Sequence, residues 1–116
     1  MNNIIKSIFT NFSVDGVSIP VKFLRYEGHG EPYIVYSLES NGDALNSEDG
    51  LANYIEYYDF TIYSKSNYVN IEARVKELLT ENGFLWQVER SSGDLYDTET
   101  GYYYKTLNFS YIRGGY

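Results

Sequence analysis

The stretch Tyr54-Ile55-Glu56-Tyr57-Tyr58-Asp59-Phe60-Thr61-Ile62-Tyr63 decides the fold. Read at the period of a strand, it places Tyr54, Glu56, Tyr58, Phe60 and Ile62 on one face and Ile55, Tyr57, Asp59, Thr61 and Tyr63 on the other. Aromatic rings on both faces call for a strand that is central or covered by a partner. Just beyond it, Ser66 or Asn67 can cap a helix starting at about Tyr68. That helix carries Ile71, Val75, Leu78 and Leu79 on one side and Asn70, Glu72, Arg74, Lys76, Glu77 and Glu81 around the rest. Asn82-Gly83 supplies its left-handed stop. Phe84, Trp86 and Val88 then alternate with Leu85, Gln87 and Glu89 as a fourth strand. After a polar turn over 91–101, Tyr102 to Ile112 reads as a long last strand, followed by a loose tail at 113–116.

Working back toward the N-terminus, residues 39–53, ESNGDALNSEDGLAN, hold four carboxylates, two glycines and no basic residue. Such a composition buries little apolar surface, so a long, mobile hairpin arm is expected there. Before it, Tyr33 to Leu38 is rich in β-branched and aromatic residues and predicts a strand, entered through the loop Glu27 to Pro32. Asp15-Gly16 marks a turn, and Val17, Ile19, Val21 and Phe23 alternate as one further strand, placed at an edge by Pro20. Ile4, Ile5, Ile8, Phe9 and Phe12 form the apolar stripe of a first amphipathic helix.

The predicted order α-β-β-β-α-β-β defines an α+β domain, a mostly antiparallel sheet with two helices packed on one face. Its expected core is Ile8, Phe12, Phe23, Ile34, Tyr36, Phe60, Ile62, Val75, Leu79, Trp86, Leu107 and Phe109. A chain of 116 residues, 43% hydrophobic and 22% charged, suits a single domain spanning 1–116. Sixteen acidic against nine basic residues leave a net charge of -7, which opposes general binding to nucleic acid or anionic membrane. Cysteine is absent, which removes disulfides and thiolate metal sites and favours an intracellular setting. The opening MNNIIKSIFTNFSVDG lacks the apolar core of an export signal, and no membrane segment is expected.

Catalytic chemistry finds little to work with. Nucleophilic hydrolysis needs a base and an orienting partner, yet the single histidine, His29, sits between glycines in a loop. Asn41, Asp43, Asn46, Glu48 and Asp49 are calcium-ligand types without the spacing of a calcium-binding loop, so a solvated acidic loop is the simpler reading. Glu56 and Asp59 fall on opposite faces and cannot converge on one bond. Gly28-His29-Gly30 is followed by Glu31-Pro32 and not by a helix start, so no phosphate cradle is formed. The expectation is a non-enzyme with no metal and no cofactor.

Fourteen tyrosines are the compositional anomaly, clustered as Tyr54/Tyr57/Tyr58/Tyr63 and Tyr102/Tyr103/Tyr104. Stacking of single-stranded bases would need surrounding basic residues, and Lys105 alone stands among them. Rings that face other protein surfaces, or pack in the sheet, fit better.

The order of these features resembles the small tail terminator, or tail-completion, proteins of long-tailed bacteriophages, especially those of Gram-positive hosts. The resemblance is carried by the strand Glu31-Pro32-Tyr33-Ile34-Val35-Tyr36, the polar arm, and the strand Tyr57 to Ser66 running into a helix with Ala73, Val75, Leu78 and Leu79. The exit Asn82-Gly83-Phe84 and the turn Tyr96-Asp97-Thr98-Glu99-Thr100-Gly101-Tyr102-Tyr103 complete it. It spans nearly all of the chain beyond the first dozen residues and contains no catalytic motif.

What the resemblance implies is a virion protein that forms a ring, usually of six subunits, on the head-proximal end of the tail tube. The ring stops tube polymerisation and docks to the head connector, and genomic DNA passes through it. Partners would be further copies of the chain, the tail-tube protein and a head-completion or connector protein, with no membrane. Interface residues expected on this reading are Asp43, Leu45, Glu48, Leu51, Tyr54, Tyr57, Asp94, Tyr96, Tyr102 and Tyr104. The alternatives are a head-completion or neck protein, and an acidic DNA mimic, although the carboxylates are scattered and do not form a row.

Overall fold

The computed structural model describes residues 2–28, 30–45 and 53–114, with backbone alone for 2, 41–45, 53, 54, 113 and 114. Helix α1 (Asn2–Ile8) is followed by two short strands, β1 (Ser13–Val14) and β2 (Val17–Ser18), then β3 (Val21–Phe23), β4 (Tyr33–Leu45) and β5 (Asn53–Ser64). Helix α2 (Val69–Glu81), β6 (Leu85–Trp86), a 3-10 turn at Val88–Arg90, β7 (Leu95–Asp97) and β8 (Tyr102–Gly114) complete the chain. The main sheet runs β3-β4-β5-β8-β6, with β7 also on β8. It is antiparallel except where β3 meets β4.

Strand β5 is central, as its two-faced aromatic pattern requires. Tyr58, Phe60 and Ile62 share one face with Ile34 and Tyr36 of β4 and with Leu107 and Phe109 of β8, and all seven are buried. Both helices cover this face. Ile71, Val75 and Leu79 of α2 and Ile5 of α1 close the core, helped by Phe9, Phe12, Ile19 and Phe84. Phe60 lies at the middle, its ring 6.0 Å from Phe9, 5.7 Å from Tyr36 and 5.9 Å from Phe109.

Helix α2 ends for the reason its sequence gives, but its start differs: Tyr68, not Ser66 or Asn67, holds the N-cap position and makes no side-chain cap bond, while Asn67 one residue earlier accepts from the Val69 amide at 2.9 Å in a local turn. At the other end Gly83 takes φ +89°, and the amides of Phe84 and Gly83 donate to the carbonyls of Leu79 and Thr80. This double bond over a left-handed glycine satisfies two terminal carbonyls and stops the helix.

Several expectations are corrected. The single strand over 17–24 is instead a hairpin, β1 with β2, and a separate parallel strand, β3. Pro20 divides them: it has no amide for a ladder, but its carbonyl accepts from Ile34 at 2.9 Å. The strand over 84–89 shortens to two residues because the chain then turns along β8. The core list loses Phe23, 40% exposed at the sheet edge, and Trp86, 39% exposed on two-residue β6; Ile8, at the end of a helix shorter than expected, is only half-buried.

Residues 39–45 and 53, expected in a mobile hairpin arm, belong to the ladder, with Asn41 opposite Glu56 and Asp43 opposite Tyr54. Arg113 and Gly114 of the expected loose tail pair with Tyr54 and Asn53; 46–52, 115 and 116 lie outside the described residues. Strands of 13 residues span about 40 Å, whereas α2, also of 13 residues, spans about 20 Å. The sheet therefore outruns its helices, and the molecule measures 52 × 27 × 24 Å. Among the described residues no buried hydrophobic side chain lies on β4 beyond Tyr36 or on β5 before Tyr58. The far halves of β4, β5 and β8 form a three-stranded arm.

Candidate functional site

The face of the sheet opposite the helices has three zones. Its register sets Tyr33, Tyr63 and Tyr104 side by side, then Val35, Thr61 and Thr106, then Ser37, Asp59 and Asn108, and beyond them Tyr57 with Ser110 and Ile55 with Ile112. One end is aromatic, the middle polar, and the arm end aliphatic.

At the aromatic end the strand spacing itself stacks the rings. Tyr26, from the loop after β3, lies 4.6 Å from Tyr33; Tyr33 lies 4.8 Å from Tyr63, and Tyr63 lies 5.8 Å from Tyr104. Tyr102 meets Tyr33 and Tyr63 edge-on, with the Lys65 ammonium 5.1 Å from its own ring centre. Burial first, then the neighbouring phenols, push the ionisation of Tyr33 and Tyr63 above the ordinary tyrosine value, so these two phenols stay neutral at physiological pH. Together with Leu24, Arg25, Val35, Asp97 and Thr100 these rings line an open groove of about 520 Å³.

The polar middle is closed by the chain from Gln87 to Ser92. Gln87 and Ser92 donate from their amides to the carbonyls of Asn108 and Thr106, and Ser91 and Ser92 accept the Asn108 and Thr106 amides through their hydroxyls. Asn108, fully buried, donates to Asp59 at 2.9 Å, and the Thr61 and Thr106 hydroxyls bond at 2.9 Å. Arg90 crosses the strands, its guanidinium 3.8 Å from the Tyr57 ring centre and 2.8 Å from Glu39 of β4. Tyr57 is thus occupied within the subunit.

A second groove opens on the helix side, between the start of α2 and β8. There the Tyr68 hydroxyl donates to Asp94, and Lys105 bonds Glu72 at 3.1 Å. Burial alone would raise the Glu72 carboxyl, but Lys76 and Lys105 outweigh it and hold the group below the usual range. This cluster is an internally satisfied brace.

The expected interface residues are therefore distributed along the molecule. Tyr102 and Tyr104 belong to the tyrosine row. Asp94 braces Tyr68, and Tyr96 packs its ring 4.7 Å from Tyr103 on the helix side. Asp43, Leu45 and Tyr54 lie on the strands of the arm, while Glu48, Leu51, Asn46, Asp49 and His29 lie outside the described residues. Tyr26, Tyr33, Arg25 and Asp97 were missed: their grouping depends on register, which no local pattern reveals. Glu56 is buried on the helix face and Asp59 bonds Asn108 on the other, so their separation is as expected. Among the described residues no three metal-ligating side chains converge, and no helix is long and apolar enough to cross a membrane.

No protein-family model matches the chain, and no curated protein matches it.

Proposed function

We propose that this chain is a structural subunit of the tail-terminator type, which works by assembling on the head-proximal end of a phage tail tube, halting its growth and docking it to the head connector. The observation that carries this reading is the arm: one sheet with two different open edges, on β4 and on β8, at the same end of the molecule. Two unlike surfaces on one subunit support head-to-tail contacts, and such contacts close into rings. The order of sequence elements and the resemblance it produces add the phage context. The acidic balance suits a channel through which DNA slides without sticking. On this reading the chain is non-enzymatic, resides in the virion, and binds further copies of itself, the tube protein and the connector protein.

Electron microscopy of tails assembled without this protein tests the reading. Overlong tubes that fail to join heads are expected; tails of normal length would overturn it.

A further inference from the structure

We propose that copies of this chain join edge to edge through the arm, the outer edge of β4 from Leu38 to Leu45 pairing as a parallel ladder with the outer edge of β8 from Tyr111 to Gly114 of the next copy. The inference rests on the assembly reading above and names the element that performs it.

The two edges are open for identifiable reasons. Strand β3 pairs with β4 only as far as Tyr36, with one more bond from the Leu24 amide, and Leu24 at φ +67° then turns the chain away. On the other side of the ribbon, β7 covers β8 at 102–104, the 87–92 segment covers it at Thr106 and Asn108, and β6 covers it at Phe109 and Ser110. Among the described residues no strand lies outside β4 at 38–45 or outside β8 at 111–114. Rows of unpaired amides and carbonyls are templates for another strand, and neither row contains proline or lysine to discourage one.

Direction and charge select the partner. Both β4 and β8 are antiparallel to β5, so they run the same way, toward the arm tip. Copies related by rotation about an axis along the arm would meet β4 to β8 as parallel strands, and each joint would leave the same two edges for the next copy. Along the β4 edge Glu39 already bonds Arg90 of its own subunit, which leaves Asp43, and the segment has no basic residue; the β8 edge carries Arg113 and no acidic one. Pairing β4 with a second β4 would bring carboxylates against carboxylates, which is unfavourable between neighbouring strands. Pairing unlike edges brings opposite charges together and leaves no edge open once the ring closes. The tyrosine groove is a weaker candidate for this joint, because its rings are already stacked on one another.

Because the natural chain has no cysteine, paired cysteines report the joint directly. Ile112 shares the open face with Ser40 and Gly42, but within one subunit each lies two strand spacings away, about 10 Å or more, beyond the reach of a disulfide. The double variants Ser40→Cys/Ile112→Cys and Gly42→Cys/Ile112→Cys, oxidised under assembling conditions, are expected to give a non-reducing ladder of dimers, trimers and larger species. Each single variant should give none. A dimer from Ser40→Cys or Gly42→Cys alone would overturn the proposal in favour of two-fold pairing. Should native mass spectrometry show rings while neither pair cross-links, the edge joint is wrong and the assembly reading stands. If no oligomer forms even with tube ends supplied, the assembly reading itself falls. Should the variants fail to fold, hydrogen exchange of the unaltered chain decides: amides at 38–45 and 111–114 must become protected on assembly, and unchanged exchange there overturns the joint.

Discussion

The two ends of the sheet are built from the same three strands, yet only one of them has a helix layer. Around Phe60, β4, β5 and β8 carry rings and aliphatic groups packed under both helices, and the opposite face is closed by the 87–92 segment, with the stacked tyrosines beyond it. Toward Leu45 and Gly114 the ladder continues with a mixture of polar, small and aliphatic residues, and among the described residues the last buried hydrophobic side chains of β4 and β5 are Tyr36 and Tyr58. Backbone pairing alone thus extends a sheet well past its core, but stability accumulates where apolar surface is buried, and the uncovered end is left for something else to complete.

The sharpest way to break this comparison is Phe60→Ala. The ring is fully buried among Phe9, Tyr36 and Phe109, so a loss of about 3–5 kcal/mol in urea unfolding is expected. A loss below about 1 kcal/mol would place the core elsewhere. Trp86→Ala should cost about 1–2 kcal/mol, because its partly exposed ring loses only part of a hydrophobic contact and the Lys76 ammonium 3.7 Å from its centre.

A graded effect is expected with alkali. Tyr33 and Tyr63 ionise less readily in the folded chain than unfolded, so their contribution is complete below about pH 10 and disappears as pH rises through their folded values. Thermal melts above that pH should fall more steeply for the natural chain than for Tyr63→Phe, which keeps the ring and removes the titration; parallel curves would deny the row this role. The smallest change belongs to the arm: Ile112→Ala, at an exposed position, should alter the stability of the free subunit by no more than about 0.5 kcal/mol. A larger loss would mean that the arm is part of the folding core.

What could be read from sequence follows the range of the forces involved. The α2 helix was legible because its i, i+4 spacing and its glycine stop both act within a few residues. Strand β5 was legible because period-two alternation is local too. Trp86 and Val88 misled, since a strand pattern was present but hydrogen bonds donated by the Asn108 and Thr106 amides of a distant strand to the Ser91 and Ser92 hydroxyls turn the chain aside. The arm was legible only as a polar hairpin: its composition resembles a loop, and the pairing of β4 with β5 and of β5 with β8 shows how far its strands run. The tyrosine row lay between these cases, its members visible as an excess and their assembly fixed by the alignment of Tyr33, Tyr63 and Tyr104 across three strands.

The single indole gives the molecule an optical consequence. Trp86 lies beneath Lys76 and donates to Ser91 at 3.0 Å, at the seam between α2 and the segment that roofs the sheet. Light absorbed only by tryptophan reads that seam, so one unlabelled sample carries a local reporter of when α2 and the 87–92 segment part company.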